Sequence, residues 1–452
     1  MSGSSSTEPR WRRALRAVVD VRSGEWALAL SFAAFFFLVI ATFWILKPLR
    51  TSQFLGALGA KHLPWARFVT ACLVLPVGAF VAWLSTRVRR RTLMLGMMAF
   101  WGTGHLAFWA FDPLLPPAWI HVPFYFWVDL YVTTSVALFW SFVNEHVTAD
   151  MAKRLFGIVG AGGMVGGILG SSLSGFLAPV FGGRNLLLLT LGTTAATCVV
   201  ILLLESRLCR WAPSRDARPA PPESPGVRAA WDGASMVVRS PYLLGILAIV
   251  AFYEISSVLA DFQFSSFVAA ECPGKVLADQ RTAYLGQFSM ATGLVGLAVQ
   301  LLATSYVQRR FGLGAALSVL PVLLIGGAGA FAVAPGLLGA SLWFGADATL
   351  NYGMHQSSKE ALYAPTNVAA KYRAKAFIDV FGVRLAKALG AAMIWGYLLA
   401  GLPTSWYAAT GIAVALCWLA INRMTARMPP GAVAGRGPAT GCLPTETSPV
   451  GT

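Results

Sequence analysis

The sequence predicts an all-α polytopic membrane protein with about twelve transmembrane helices in two six-helix bundles. Of its 452 residues, 56% are hydrophobic and only 12% are charged, which is about half the charged fraction of a typical soluble domain. Apolar stretches of about twenty residues, the length that crosses a bilayer, recur along the chain. The lipid bilayer is therefore the expected environment of most side chains.

The apolar stretches fall into two sets of six on either side of a polar segment rich in Pro and Arg. The first set covers residues 26–46, 63–84, 92–111, 119–142, 155–179 and 185–204, and the second covers 243–268, 284–307, 313–334, 337–354, 377–400 and 406–421. The predicted domains are a basic N-terminal tail over 1–25, bundles over 26–204 and 242–424, a connector over 205–241, and a disordered C-terminal tail over 425–452.

Lys and Arg concentrate in alternate loops, for example at 87–91, in the connector at 207–218 and at 371–375. Short cytoplasmic loops of membrane proteins are enriched in these residues, so both termini are predicted to be cytoplasmic, in the inner (plasma) membrane of a bacterium. The formal charge of +16 therefore reflects topology, and no nucleic-acid partner is expected.

Several chemical classes find no support in the sequence. The six cysteines occur singly without His at ligand spacing, so no metal site is predicted. The Gly-rich run at 157–170 lacks a preceding strand and fits close helix packing rather than dinucleotide binding. With no phosphate-binding loop and no catalytic constellation, neither a cofactor nor an enzymatic activity is predicted.

Ionisable residues inside the predicted spans are the informative positions. A charge at bilayer depth costs about 3 kcal/mol, so it persists where it faces water or a partner. The residues assigned to substrate binding are Lys47, Arg50, Glu145, Glu254, Lys359, Arg384 and Lys387, and those assigned to possible coupling are Asp261, Asp347 and Asp379.

Cations on spans one, ten and eleven can neutralise an anionic substrate, because the Arg fork matches phosphate and Lys supplies a movable charge. Acids on spans four and seven, including Asp129 and Glu254, can pair with these cations in the empty protein. This exchange of ion-pair partners suits a transporter that exchanges one anion for another. The alternative for each residue is a snorkelling side chain or a structural ion pair.

The two halves also repeat each other, since the basic turn at 85–91 recurs at 305–310. Parallel six-helix repeats joined by a connector are the plan of the major facilitator fold, which binds substrate between its halves near the midplane. The sequence is therefore predicted to adopt a major-facilitator-like arrangement.

Motifs in both halves resemble the ATP/ADP translocase family of plastids and obligate intracellular bacteria. They lie at 139–145 and 152–156, and in the second half at 358–363, 371–379 and 384–387, where the family pattern is T-K-E-x-x-Y, K-x-K-A-x-I-D and R-x-x-K. The resemblance implies nucleotide exchange by alternating access, with two acids and two cations central to the site.

Carried over by position, the resemblance assigns the acids to Glu145 and Glu254 and one cation to Lys359. The family's L-R-x-x-K-D reads Leu46-Lys-Pro-Leu-Arg-Thr51 here, so Arg50 takes the place of the family's lysine and Lys47 that of its arginine. A Trp-Lys pair near Glu254 is replaced by Ala260-Asp261. The lost cation and added acid weaken the case for a highly charged triphosphate, so the substrate can differ from that of the family even where the fold and the position of the site are shared.

Two other functions compete with this interpretation. One is a proton-coupled major facilitator carrier for a non-nucleotide solute, with Glu254 and Asp261 as proton acceptors. The other is a non-transporting membrane protein, which is disfavoured because the sequence has no appended soluble domain.

Overall fold

A computed structural model describes residues 25–211, 227–274, 276–364, 366 and 373–428. The predicted N-terminal tail up to residue 24, the middle of the connector and the predicted disordered tail from residue 429 lie outside the described residues. Lys371 of the second-half motif also lies outside them. The described chain is helical and contains no strand.

The first half consists of six long helices, each of which corresponds to one predicted span. They are α1 (Trp26–Leu58), α2 (Leu63–Arg87), α3 (Arg90–Phe111), α4 (Pro117–His146), α5 (Ala149–Phe181) and α6 (Leu186–Trp211). The largest difference from the prediction is α1, which continues twelve residues beyond Leu46 and through Pro48. Buried Leu49, Phe54 and Leu55 favour this continuation, which places Lys47 and Arg50 inside the helix.

The second half follows a short connector helix that the sequence did not predict, α7 (Val227–Arg239). Its helices are α8 (Pro241–Glu271), α9 (Ala278–Val299), α10 (Ser305–Val333), α11 (Leu337–Leu350), α12 (Gln356–Leu362), α13 (Lys375–Phe377), α14 (Val383–Leu399) and α15 (Thr404–Arg427). The pair α11 and α12 forms the tenth predicted span, and the pair α13 and α14 forms the eleventh.

Three of these spans contain a π-helical segment, at Gln300–Thr304, Asn351–His355 and Ile378–Gly382. Such segments often occur at functional sites. The eighth and ninth spans are separated at Gly312, whose φ of 84° is a left-handed conformation that glycine adopts without a steric penalty.

Eight described helical stretches are long and apolar enough on their own to cross a membrane, and one of them, Ala278–Val333, is 56 residues long. That stretch contains two spans because the chain turns at Gly312. The less apolar α3 and the interrupted pairs α11–α12 and α13–α14 complete the set of twelve. The chain is a multi-pass membrane protein.

The Gly-rich run of α5 packs closely against α1, as the sequence predicts. A Cβ atom on Gly162, Gly166 or Gly170 would lie within 2.5 Å of a backbone carbonyl oxygen of α1. These glycines therefore allow the two helix backbones to approach directly.

The two halves are joined at one end of the bundle. We call the end at which α6, α7 and α8 are connected the connector end, and the opposite end, which holds the α1–α2 and α5–α6 turns, the far end. The hydrogen bonds and ion pairs between described residues of the two halves all lie in the far half of the bundle. They link Arg67 to Val258 and Asp261, Ser52 to Ala278 and Arg281, Gly183 to Asp279, and Gly175 to Gln287.

Candidate functional site

Arg50 lies in the last third of α1, in an arrangement built by α4. Its guanidinium contacts the Asp129 carboxylate at 2.5 Å and lies 4.5 Å from the centre of the Tyr125 ring. Tyr125 and Asp129 are four residues apart on α4 and so share one helix face. The acid on span four thus pairs with a cation on span one, as the sequence predicts for the empty protein.

Lys47 lies one helical turn before Arg50 and is half-buried. Its ammonium group lies 4.2 Å from the centre of the Trp44 ring. No carboxylate or carbonyl oxygen of the described residues accepts a hydrogen bond from it, although the charges of Asp129, Asp261 and Lys387 act on it. Lys47 is therefore a cation without a hydrogen-bond acceptor or ion-pair partner among the described residues, and we call such a cation open.

Glu254 of α8 and Lys387 of α14 form the second pair that the sequence anticipates. The Lys387 Nζ atom lies 3.5 Å from Glu254 Oε2, and the side chain of Glu254 is 11% exposed while that of Lys387 is 42% exposed. Arg384 lies one turn before Lys387, so both project from the same face of α14. Within the described residues, Arg384 has no hydrogen-bond or ion-pair partner.

Asp261 pairs with Arg67 of α2, a residue that the sequence analysis missed. The two side chains approach to 2.5 Å, and Arg67 also donates to the Val258 carbonyl at 3.1 Å. Arg67 lies near the start of the predicted span 63–84, so a charge within an apolar stretch was the only available signal. The structure places Asp261 in a link between the two halves.

Lys359 differs from the prediction in its choice of partner. It is buried on α12 and lies 3.3 Å from Asp379, an acid of the next span, instead of pairing with an acid of span four or seven. Its neighbour Glu360 pairs with Lys375 at 2.5 Å. Both pairs lie toward the connector end, where the two spans are adjacent.

Glu145 is not brought together with the other predicted site residues. It lies sixteen residues beyond Asp129 along α4, which corresponds to about 24 Å of helix. Its carboxylate accepts from Arg90 Nε at 3.0 Å, and its side chain is 43% exposed. Glu145 thus pairs with Arg90 of α3 rather than with a cation of span one, ten or eleven, and its assignment to substrate binding stays a prediction.

Asp347 of α11 is the most isolated acid of the predicted set, with a relative exposure of 4%. The Ser257 hydroxyl donates to Asp347 Oδ2 at 2.7 Å, whereas Oδ1 is buried without a hydrogen-bond partner. Within the described part of the chain, no cationic side chain forms an ion pair with it.

We call a set of charged residues from both halves the central site: Lys47, Arg50, Glu254, Arg384 and Lys387. The Glu254–Lys387 pair belongs to the second half, the charge of Lys387 acts on Lys47 of the first half, and Arg384 is included because it lies one turn before Lys387. Two of its cations are held by acids of neighbouring helices and two are open, so an anion can bind the open cations and compete for the paired ones. Among the described residues, no group of three His, Cys, Asp or Glu is placed to hold a metal ion.

The arrangement of helices is similar to that of solved membrane transporters. It matches a bacterial homologue of the iron transporter ferroportin in an inward-facing state, with a TM-score of 0.64 and 11% identity, over 89% of this chain and 99% of that one. It also matches the nucleoside transporter NupG, with a TM-score of 0.58 and 11% identity, over 87% of this chain and 98% of that one. The predicted major-facilitator-like fold of two six-helix bundles is confirmed.

Within this fold class, the chain is similar to ATP/ADP transporters, as its motifs predict. Residues 227–336 match the family model described as TLC ATP/ADP transporter. The chain is 27% identical over 306 residues to ADP,ATP carrier protein 1, chloroplastic, of Arabidopsis thaliana, over 60% of this chain and 48% of the relative.

Bacterial relatives show the same similarity. ADP,ATP carrier protein 1 of Chlamydia trachomatis is 26% identical over 345 residues, which cover 67% of this chain and 64% of the relative. The protein of the same name from Chlamydia pneumoniae is 25% identical over 460 residues, which cover 85% of this chain and 88% of the relative. The matched part of the chain spans about half of the Arabidopsis relative and under two thirds of the Chlamydia trachomatis one.

Proposed function

We propose that this protein is a secondary transporter that exchanges nucleotides of the ATP/ADP type, or a related phosphorylated anion, by alternating access. The observation that carries the proposal is the pair of open cations, Lys47 on α1 and Arg384 on α14, which belong to opposite halves and lie beside cations held in exchangeable ion pairs. The similarity to ADP,ATP carrier proteins supports a nucleotide as the anion.

The central site suits a phosphate chain for chemical reasons. Arg384 and Arg50 offer planar forks that match phosphate oxygens, and Lys47 and Lys387 are point charges on flexible stems. An anion that binds Lys387 replaces Glu254 as its partner, so part of the desolvation cost of the cation is already met in the empty protein. Binding therefore exchanges one set of ion pairs for another.

The two halves provide the conformational element. In the structure they are linked at the far end by Arg67–Asp261 and Arg281–Ser52, and the described residues form no hydrogen bond or ion pair between the halves at the connector end. Rocking of one half against the other about the midplane is the expected motion of this fold. The helices that slide past each other in this motion are α5 against α9 and α14 against α2.

We further propose that the connector end faces the cytoplasm of a bacterium and that both termini lie there, because Arg and Lys concentrate in the loops of that end. The conformation then exposes the central site to the cytoplasm. Lys359, which pairs with Asp379, lies between the central site and that opening, where its positive charge can attract an anion.

The competing carrier with Glu254 and Asp261 as proton acceptors is less well supported. Each of these acids pairs with a cation, Lys387 for Glu254 and Arg67 for Asp261. Both acids therefore already have an ion-pair partner in the structure.

Ligand-induced stabilisation of the purified protein tests the proposal. ATP, ADP and AMP are expected to raise the unfolding temperature, because a ligand that binds only the native state stabilises it by mass action. The double variant Lys47→Gln/Arg384→Gln is expected to need at least about tenfold more nucleotide for the same effect, since each charged hydrogen bond contributes roughly 1.5–3 kcal/mol.

Arg423→Gln is the matched control, because Arg423 is exposed on α15 and lies outside the central site. It should respond to nucleotide as the native protein does. Absence of stabilisation by every nucleotide, or an equal loss in the control and the double variant, would contradict the proposal.

A further inference from the structure

A cavity of about 320 Å³ lies at the far end of the molecule, on the seam between the two halves. Four of its lining residues lie on or beside the α1–α2 turn of the first half, and the fifth lies near the end of α14 in the second half. They are Leu58, Lys61, His62, Trp65 and Trp395. None of them belongs to the central site, so nucleotide binding there does not account for this cavity.

Lys61 supplies the positive charge of the cavity. It is exposed, and it forms no hydrogen bond or ion pair with the described residues, so it is an open cation like Lys47. The turn that carries it, residues 59–62, contains no acid. The ammonium group is therefore available to an anion that enters the cavity.

The walls around this cation are mainly aromatic. Trp65 is 38% exposed and Trp395 is 46% exposed, and the Trp65 ring packs on Phe126 of α4 with 5.9 Å between the ring centres. Each indole has one N–H donor and no acceptor, so the two rings add donors to the charge of Lys61. The cavity offers a cation, hydrogen-bond donors and apolar surface, which is the combination that an amphipathic anion needs.

An anionic phospholipid has this combination of groups. Trp is enriched where the headgroups of a bilayer meet the acyl chains, and the far-end turns lie at that depth. The lipid phosphate pairs with Lys61, and the glycerol backbone and upper acyl chains pack on the two Trp rings. His62 bonds through Nδ1 to the Leu58 carbonyl at 2.6 Å, which leaves Nε2 for a headgroup hydroxyl. A soluble phosphate supplies the charge but leaves the apolar walls in water.

We propose that this cavity binds one anionic phospholipid from the leaflet at the far end, and that the bound lipid holds the far end closed. The lipid contacts Trp395 of the second half and Lys61 and Trp65 of the first half at the same time. Trp65 lies two residues before Arg67, which links to Asp261 of the second half. When α14 moves along α2, the two walls are displaced and the lipid loses contacts; this conformational consequence rests on the proposed function.

Native mass spectrometry of the purified protein measures lipid binding directly. One phosphatidylglycerol molecule is expected to remain bound under conditions that remove phosphatidylcholine with the same acyl chains. Lys61→Gln should weaken phosphatidylglycerol binding at least about tenfold because a charged hydrogen bond is lost, and Trp395→Leu should weaken it because apolar contact is lost. Lys61 makes no contact that folding requires, so its variant is expected to fold.

Arg184→Gln is the matched control for Lys61→Gln. It removes the same charge at the same end of the molecule, where Arg184 donates to the Trp109 carbonyl at 2.8 Å and does not line the cavity. Its binding of phosphatidylglycerol should equal that of the native protein. An equal loss of binding in the two variants overturns the assignment of the lipid to this cavity.

Soluble anions distinguish a lipid site from a phosphate site. Glycerol 3-phosphate and inorganic phosphate carry the charge of the headgroup but no acyl chain, and neither is expected to displace bound phosphatidylglycerol even in large excess. Displacement by either of them, or equal retention of phosphatidylglycerol and phosphatidylcholine, overturns the assignment of an anionic phospholipid.

The effect on conformation is measured at Cys272, which lies at the far end beside Arg281. In nanodiscs, a protein with Cys272 as its single cysteine should react with a maleimide severalfold more slowly in phosphatidylglycerol than in phosphatidylcholine, and Lys61→Gln should abolish this difference. Equal rates in the two lipids without the Lys61 change overturn the inference. Absence of nucleotide exchange, with lipid binding intact, contradicts the proposed function and leaves the lipid site supported.

Discussion

At the scale of single residues, the Arg50–Asp129 pair of the membrane interior affects the stability of the protein. Arg50 and Asp129 are both largely buried, with side-chain exposures of 9% and 21%. Thr70 adds a weak hydrogen bond to Asp129 at 3.4 Å. Such a pair contributes little net stability compared with apolar residues, but removal of one partner leaves the other charge uncompensated.

Arg50→Met is therefore expected to lower the free energy of unfolding by about 3–5 kcal/mol, because Asp129 is left as a buried lone charge. The double variant Arg50→Met/Asp129→Asn should recover most of that stability. Denaturation in detergent measures both. A double variant as unstable as the single one would show that Arg50 stabilises the protein through contacts other than the Asp129 pair, such as the Tyr125 ring.

The sequence identified most of these residues but not all of their partners. A charge inside an apolar span is visible without a structure, which is how Lys47, Glu254 and Asp347 were selected. Partner choice depends on which faces of distant helices meet, and the Lys359–Asp379 pair shows that the adjacent span can supply the nearest acid. Arg67 was missed because it lies close to a span end, where a snorkelling side chain is the ordinary explanation.

At the scale of helices, the contact of α5 with α1 depends on glycines at specific positions. Gly166 lies against the Phe37 backbone, and its missing Cβ would be 2.5 Å from the Phe37 oxygen. Gly160, on the same helix, has no atom within 4 Å of the corresponding point. The two positions differ in packing and share the same helical environment.

Gly166→Ala is expected to destabilise the protein by about 1–3 kcal/mol because the helices must separate. Gly160→Ala should be neutral or stabilising by up to about 1 kcal/mol, since alanine favours the helix more than glycine does. The unfolding midpoint of each purified variant measures this difference. Equal midpoints would mean that the α1–α5 contact does not require glycine.

The helix ends and interruptions show where sequence information is insufficient. Hydropathy predicted each span, since the need to bury apolar residues is a local property of the chain. Hydropathy did not predict the π-helical segments, because a π turn shifts the helix register without a change in composition. It also did not predict α7. α1 extends past its predicted end because Ser52 finds hydrogen-bond partners in the other half, which no local pattern reveals.

At the scale of the whole molecule, the far-end contacts hold the two halves in the observed conformation. Arg67 reaches Asp261 across the interface with side-chain exposures of 14% and 36%. Arg281 is buried and donates to the carbonyl oxygens of Ser52, Cys272 and Gly274. Alternating access requires these links to break together.

Arg67→Gln is expected to favour opening of the far end. Cys272 lies at that end, beside Arg281, and can report on it in a variant without the other five cysteines. Its rate of modification by a membrane-impermeant maleimide should rise about tenfold, since a charged hydrogen bond contributes roughly 1.5–3 kcal/mol. Arg87→Gln, at the connector end of the same helix, is the control, and an equal rate in both variants would argue against the link.

Nucleotide exchange through the central site is measured directly by transport in proteoliposomes. Uptake of labelled ATP is followed into proteoliposomes that are empty or loaded with ADP, with native protein and Lys47→Gln/Arg384→Gln. We expect rapid uptake into ADP-loaded vesicles for the native protein, much slower uptake into empty ones, and loss of the difference in the variant. Equal uptake into loaded and empty vesicles, or undiminished exchange by the variant, would contradict it.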